Sequence, residues 1–168
     1  MLSAVRAITK NPKSPIAYLV LMAGASAFSF AVWNALLNNF SVEVANFTGR
    51  EIGILQSLRE VPGFLAFTAV FVLLAVREQT FAILSVALLG LGVAMAGFFP
   101  TVYGLYFTTV IMSVGFHYFE TVQMSLSLQW FDKEEAPKAM GRQISARSLV
   151  SLLAYAILWL LLEIAGLD

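Results

Sequence analysis

His117 and Glu120 lie three residues apart inside an apolar run over 103–130. A charged side chain at the centre of a bilayer costs a few kcal/mol or more, so an ionisable pair there is expected to serve a function. Side chains three or four residues apart share one helix face. Tyr106, Ser113, His117, Glu120, Met124 and Ser127 fall on one such stripe. Val110, Ile111, Val114, Phe116, Phe119 and Leu126, in the same run, are lipid-like. The expectation is a membrane helix with one polar face. Its histidine and glutamate are both proton acceptors, so proton transfer and ligand capture are the chemistries open to it.

A third ionisable group has matching placement. Gln143, Arg147 and Ser151 recur at i, i+4 and i+8 of a later apolar segment, with Ser145 and Ser148 close by. The turn before that segment centres on 134–136. Glu120 precedes it by about 15 residues and Arg147 follows it by about 12, which at 1.5 Å per residue puts each roughly 20 Å away. Two antiparallel helices therefore bring Glu120 and Arg147 to one depth, where a carboxylate–guanidinium pair keeps both in a membrane. A purely structural polar cluster is the alternative. Function is preferred, because three ionisable groups are expensive merely to hold a bundle together.

Composition gives these residues their setting. The chain is 60% hydrophobic and 12% charged, with mean hydropathy +0.83. That much apolar surface in 168 residues implies an integral membrane protein. Lys+Arg and Asp+Glu balance at 10 each, so no basic field points to nucleic acid. The absence of cysteine excludes disulfides, thiolate metal sites and a cysteine nucleophile, and one histidine builds no His-rich metal site. No cofactor is implied. HExxH, GxSxG and paired-aspartate motifs are absent, so an enzyme is not expected.

A spanning helix needs roughly 20 apolar residues. About five segments qualify, over 16–40, 52–76, 81–99, 102–130 and 140–165. They are too long and continuous for barrel strands, so the fold class is all-α: a polytopic transmembrane bundle in one domain over 1–168. Arg6, Lys10 and Lys13 precede the first segment, Arg77 follows the second, and Lys133, Lys138 and Arg142 follow the fourth. Cations on alternate connections predict a cytoplasmic N-terminus and an external C-terminus. Ala25-Ser26-Ala27 resembles a signal-peptide cleavage site, but the apolar run continues too far beyond it. Asn46-Phe47-Thr48 is a glycosylation sequon, read as a chance occurrence.

The remaining faces follow from residue type. Gly24, Ala27 and Ala31 suit close helix packing, while Asn34 and Asn38 leave packing and cavity lining both open. On the second segment Arg59 and Glu60 are adjacent and are expected to point to different sides. Pro62 removes a backbone hydrogen bond and bends the helix. Arg59, Glu60, Pro62 and Arg77 are assigned a structural or gating role. The third segment carries no charge, and its Gly90, Gly92, Ala94, Ala96 and Gly97 suit a peripheral helix packed tightly on one side.

Glu51-Ile52-Gly53-Ile54-Leu55 opens the second segment, and Trp130-Phe131-Asp132-Lys133-Glu134-Glu135-Ala136-Pro137-Lys138-Ala139-Met140-Gly141 joins the fourth to the fifth. With the loop pattern, these resemble the N-terminal half of a major facilitator superfamily transporter. The resemblance implies alternating access about a midplane site, with the first and fourth helices lining the cavity and the third peripheral. It also implies His117 and Glu120 as proton or substrate ligands, with Arg147 as partner. The family's Gly-x-x-x-Asp-Arg/Lys-x-Gly signature between helices two and three is absent. Ala75-Val76-Arg77-Glu78-Gln79-Thr80 stands there, and only Arg77 survives in kind.

The resulting expectation is a secondary active transporter in the bacterial plasma membrane, proton-coupled, moving a small-molecule substrate. Five helices do not enclose a two-sided path, so a C-terminal half or a partner membrane protein is also expected. The rival is a small membrane scaffold or assembly subunit that packs its polar face against a larger complex.

Overall fold

The structure, a computed structural model, describes residues 14–166. Arg6, Lys10, Lys13 and the C-terminal Asp168 lie outside the described residues. The chain is all-α: α1 (Pro15–Glu43), α2 (Gly49–Phe64), a 3-10 turn (Leu65–Thr68), α3 (Ala69–Leu73), α4 (Glu78–Ala96), α5 (Val102–Trp130) and α6 (Ala136–Ala165). No strand occurs among the described residues. Three of these helices, α1, α4 and α6, are long and apolar enough to cross a membrane. α5 has comparable length, 29 residues, but His117, Glu120 and Gln123 dilute its apolar character.

Local chemistry sets the boundaries. Ser14 caps α1 by accepting from the Ala17 N–H, and Pro15 takes the first helical position, where its missing N–H costs nothing. α2 opens on a capping box. The Thr48 hydroxyl accepts from the Arg50 N–H at 3.3 Å, while Glu51 accepts from the Thr48 N–H at 2.9 Å and from its hydroxyl. The Thr48 hydroxyl bond, and then the Thr48 backbone bond, hold the Glu51 carboxyl below the usual carboxylate range. The sequon residues have structural uses here: Asn46 adopts φ 55° at the turn, Phe47 is buried and Thr48 is the cap. α6 begins four residues before the expected 140. Asp132 Oδ1 accepts from the N–H groups of Glu134 and Glu135, and Pro137 fits the first turn.

The second expected helix, 52–76, does not form as one unit. Pro62 lacks the N–H that would bond the Leu58 carbonyl, and the chain tightens into the 3-10 turn at Leu65 before resuming as α3. The Thr68 hydroxyl bonds the Leu65 carbonyl at 2.7 Å and meets the Tyr118 hydroxyl at 2.6 Å, which fixes the break against α5.

Packing is uneven. α4 lies closest to α5, because a Cβ on Gly92 would fall 2.5 Å from the Met112 nitrogen and one on Gly115 2.4 Å from the Leu89 nitrogen. Only glycine permits that approach. α6 runs along α1, with Val150 against Gly24, and touches α5 sparsely despite following it in sequence. The outer part of α6, with Leu152, Trp159 and Ile164, is exposed.

The two ends are tied separately. At one, the Tyr18 hydroxyl donates to the Gln79 carbonyl at 2.7 Å and the Tyr18 ring meets Trp130 edge-on at 5.7 Å. At the other, the Tyr106 hydroxyl donates to the Glu51 carbonyl at 3.2 Å, beside Phe47. The connections after α3 and after α5 thus gather at the end where α1 begins, as expected from their cations.

Candidate functional site

Glu120 on α5 and Arg147 on α6 meet across the sparse contact between these helices. Arg147 Nη1 donates to Glu120 Oε1 at 2.5 Å, with side chains 27% and 38% exposed for Arg147 and Glu120. The pair forms through the antiparallel arrangement that the residue count predicts. It stands in the wall of a cavity of about 230 Å³, which Gln123, Met124, Ser127, Met140, Gln143 and Ile144 complete.

One turn nearer the 131–135 connection lies a buried amide network. Gln123 Nε2 donates to Gln143 Oε1; Gln143 Nε2 donates to Ser127 Oγ at 3.0 Å and to the Ala139 carbonyl at 3.3 Å. Ser127 Oγ in turn reaches the Gln123 carbonyl at 2.8 Å. Gln123 Oε1 is buried with no hydrogen-bond partner, although Gln123 as a whole is only 8% exposed. A buried acceptor left unmet is costly and asks for an explanation. Sequence reasoning named Gln143 and Ser127 but missed Gln123. Its signal was the i, i+3 step from Glu120, which repeats the i, i+4 step between Gln143 and Arg147.

His117 is not part of this site. Its ring packs on α2, where a Cβ on Gly63 would come within 2.7 Å of it, and it meets Phe116 edge-on at 5.2 Å. Three residues along a helix turn a side chain by about 60° short of a full circle. That offset sends His117 to α2 and Glu120 to α6, so the grouping of His117 with Glu120 and Arg147 is corrected. Asn34 and Asn38 are exposed on α1 and do not line the cavity. Beside them, a cavity of about 120 Å³ between α1 and α4 is lined by apolar groups such as Trp33, Leu37, Phe40 and Val93.

Arg59 and Glu60 do pair, against expectation. Arg59 Nε and Nη2 both donate to Glu60 Oε1, at 2.9 and 2.7 Å, because the long arginine side chain folds back to its neighbour. The guanidinium also lies 5.8 Å from the Trp33 ring centre. Ser113 donates to the Arg59 carbonyl, one residue beyond the Leu58 carbonyl affected by Pro62. Arg77 is exposed at the N-cap of α4 and forms no ion pair among the described residues. Its neighbour Glu78 instead accepts from Gln129 at 2.7 Å and Ser125 at 3.3 Å, tying α4 to α5. No protein-family model, no curated protein and no solved structure matches this chain.

Proposed function

We propose that this chain spans the membrane five times with its N-terminus in the cytoplasm and works as part of a proton-coupled secondary transporter of the major facilitator type. The lipid bilayer surrounds it, in a bacterial plasma membrane, and further helices complete the path. The observation that carries this reading is the Glu120–Arg147 pair in the wall of a cavity between two sparsely packed helices. Protonation of Glu120 removes the charge that holds Arg147 and frees the guanidinium for an anionic group of a substrate. Loss of the proton restores the pair and expels that group. Proton and substrate are thereby linked at one site.

The test uses the full protein in proteoliposomes loaded with a pH-reporting dye and challenged in turn with amino acids, sugars and organic anions. Solute-dependent acidification that Glu120→Gln abolishes supports the proposal. Uphill, proton-coupled uptake that survives Glu120→Gln overturns it. The exposed apolar length of α6 favours the second reading, a scaffold that packs on a larger complex. Under that reading Glu120→Gln alters complex size on a native gel and no solute moves.

A further inference from the structure

The chain has one histidine, and the site between α5 and α6 does not use it. We infer that His117 is a proton sensor for the bend in α2: its imidazolium pins the break at Pro62 to α5, and the neutral ring lets the segment beyond the break swing. The inference needs no transport activity and stands apart from the reading above.

The orientation of the ring carries it. A Cβ on Gly63 would meet the ring Cε1 at 2.7 Å and both ring nitrogens at 3.0 Å. The edge that holds both nitrogens is therefore the edge turned to the α2 backbone. Among the described residues the His117 side chain makes no hydrogen bond; its carbonyl accepts from the Thr121 hydroxyl at 2.9 Å. Pro62, next to Gly63, has no N–H to offer the Leu58 carbonyl. A ring with uncommitted nitrogens thus lies against a helix turn that is short of a donor. Neutral imidazole has one N–H to give, whereas imidazolium has two, and bonds from a cation are the stronger.

The segment beyond the break is lightly held. The Thr68 and Tyr118 hydroxyls join it to α5 at 2.6 Å, while Phe67, Val70, Phe71 and Leu74 are exposed. Val72, Leu73 and Val76 cover buried Phe81, Phe119 and Val122, so a swing uncovers that patch. The charges around His117 leave it room to gain a proton. At its level α2 offers Arg59 and Glu60, which pair with each other, and α6 offers Arg147, which pairs with Glu120 of α5. Tyr118 is engaged by Thr68. α1 carries no ionisable group between Tyr18 and Glu43, α4 none after Glu78, and the 3-10 turn and α3 none. Each nearby cation has its carboxylate, so an imidazolium faces no unpaired positive charge.

The experiment uses the full protein in lipid nanodiscs, with histidine isotopically labelled so that NMR follows a single imidazole. The chain has no cysteine, so spin labels at Leu21→Cys and Leu74→Cys, both exposed positions, read the swinging segment against α1. A change of about 20° in the bend, acting over about 18 Å of helix, moves Leu74 by about 6 Å. Expected is one narrow distance with the ring protonated. A broader one, shifted by about 6 Å, should replace it as the ring titrates between about pH 5 and about pH 8. His117→Phe removes both nitrogens and should erase this response. Pro62→Ala restores the missing N–H and should erase it while the ring still titrates. If His117→Phe does not fold, Pro62→Ala decides. Glu120→Gln should leave the response intact. A ring that takes up no proton in that range, a distance that ignores pH, or a response that survives either variant overturns the inference. Loss of the response in Glu120→Gln also overturns it, by assigning the switch to the ion pair. Solute-driven proton movement bears on the transporter reading alone.

Discussion

Arg147 Nη1 lies 2.5 Å from Glu120 Oε1, and this bond ties two helices that otherwise touch little. Removing one partner leaves the other charge unpaired. Both side chains are about one-third exposed, so solvent screening reduces the penalty. Arg147→Met is expected to cost about 1–2 kcal/mol in denaturant or thermal unfolding of the purified protein. The double variant Glu120→Gln with Arg147→Met should recover part of that loss, because no charge is then stranded. Simple addition of the two single effects would argue against the pair.

Gly92 and Gly115 predict a sharp contrast with Gly97. Gly92→Ala or Gly115→Ala forces α4 from the backbone of α5 and should cost about 1–3 kcal/mol. Gly97→Ala enters open space and should leave the unfolding midpoint nearly unchanged. Equal effects at the three positions in a thermal melt would contradict the close approach of α4 to α5.

The contact of His117 with Gly63 predicts suppression. Gly63→Ala places a methyl group 2.7 Å from the imidazole and should destabilise. His117→Ala opens that space, so the double variant should be more stable than the sum of the single changes implies. A double-mutant cycle by thermal unfolding reads the coupling. A coupling of zero would place the ring elsewhere.

Acid should weaken the start of α2. The Glu51 carboxyl is held below its usual range chiefly by the Thr48 hydroxyl. Its contribution is therefore full above the unfolded carboxylate value and is lost as pH falls through the lowered folded one. Thr48→Ala should cost about 1 kcal/mol at neutral pH. The gap between wild type and variant should narrow, to what the Thr48–Arg50 cap bond contributes, as the medium is made acidic, in melts recorded across that range. A gap constant with pH would remove Glu51 from the cap.

The residues that meet at the site were partly readable in advance, and the reasons differ by residue. Glu120 and Arg147 were readable because helix rise and a well-marked turn set their depth, and Asp132 with Pro137 does hold that turn. His117 was not, because a polar stripe one turn wide can serve two neighbours, and sequence spacing does not say which neighbour lies where. The break in the second segment was half readable. Pro62 signals a bend, but the length of the 3-10 turn depends on Thr68 and Tyr118 meeting from segments 50 residues apart. Asn34 and Asn38 lie exposed on α1, away from the cavity between α5 and α6, because amide side chains mark a helix as polar without telling which side a partner covers. The close fit of Gly92 on Met112 required knowing which helix α4 packs on.

The unequal packing of the helices has a mechanical consequence. α1 with α6 forms one firm pair, and α4 with α5 another. A tensile load applied at the far end of α6 would pass down that helix to its shared boundary with α5. There it would fall on a single charged tether and on the amides beside it. Adding a proton to that tether turns a chemical event at one oxygen atom into a shift of the load onto the amides and onto the packing of α1 against α4 and α5.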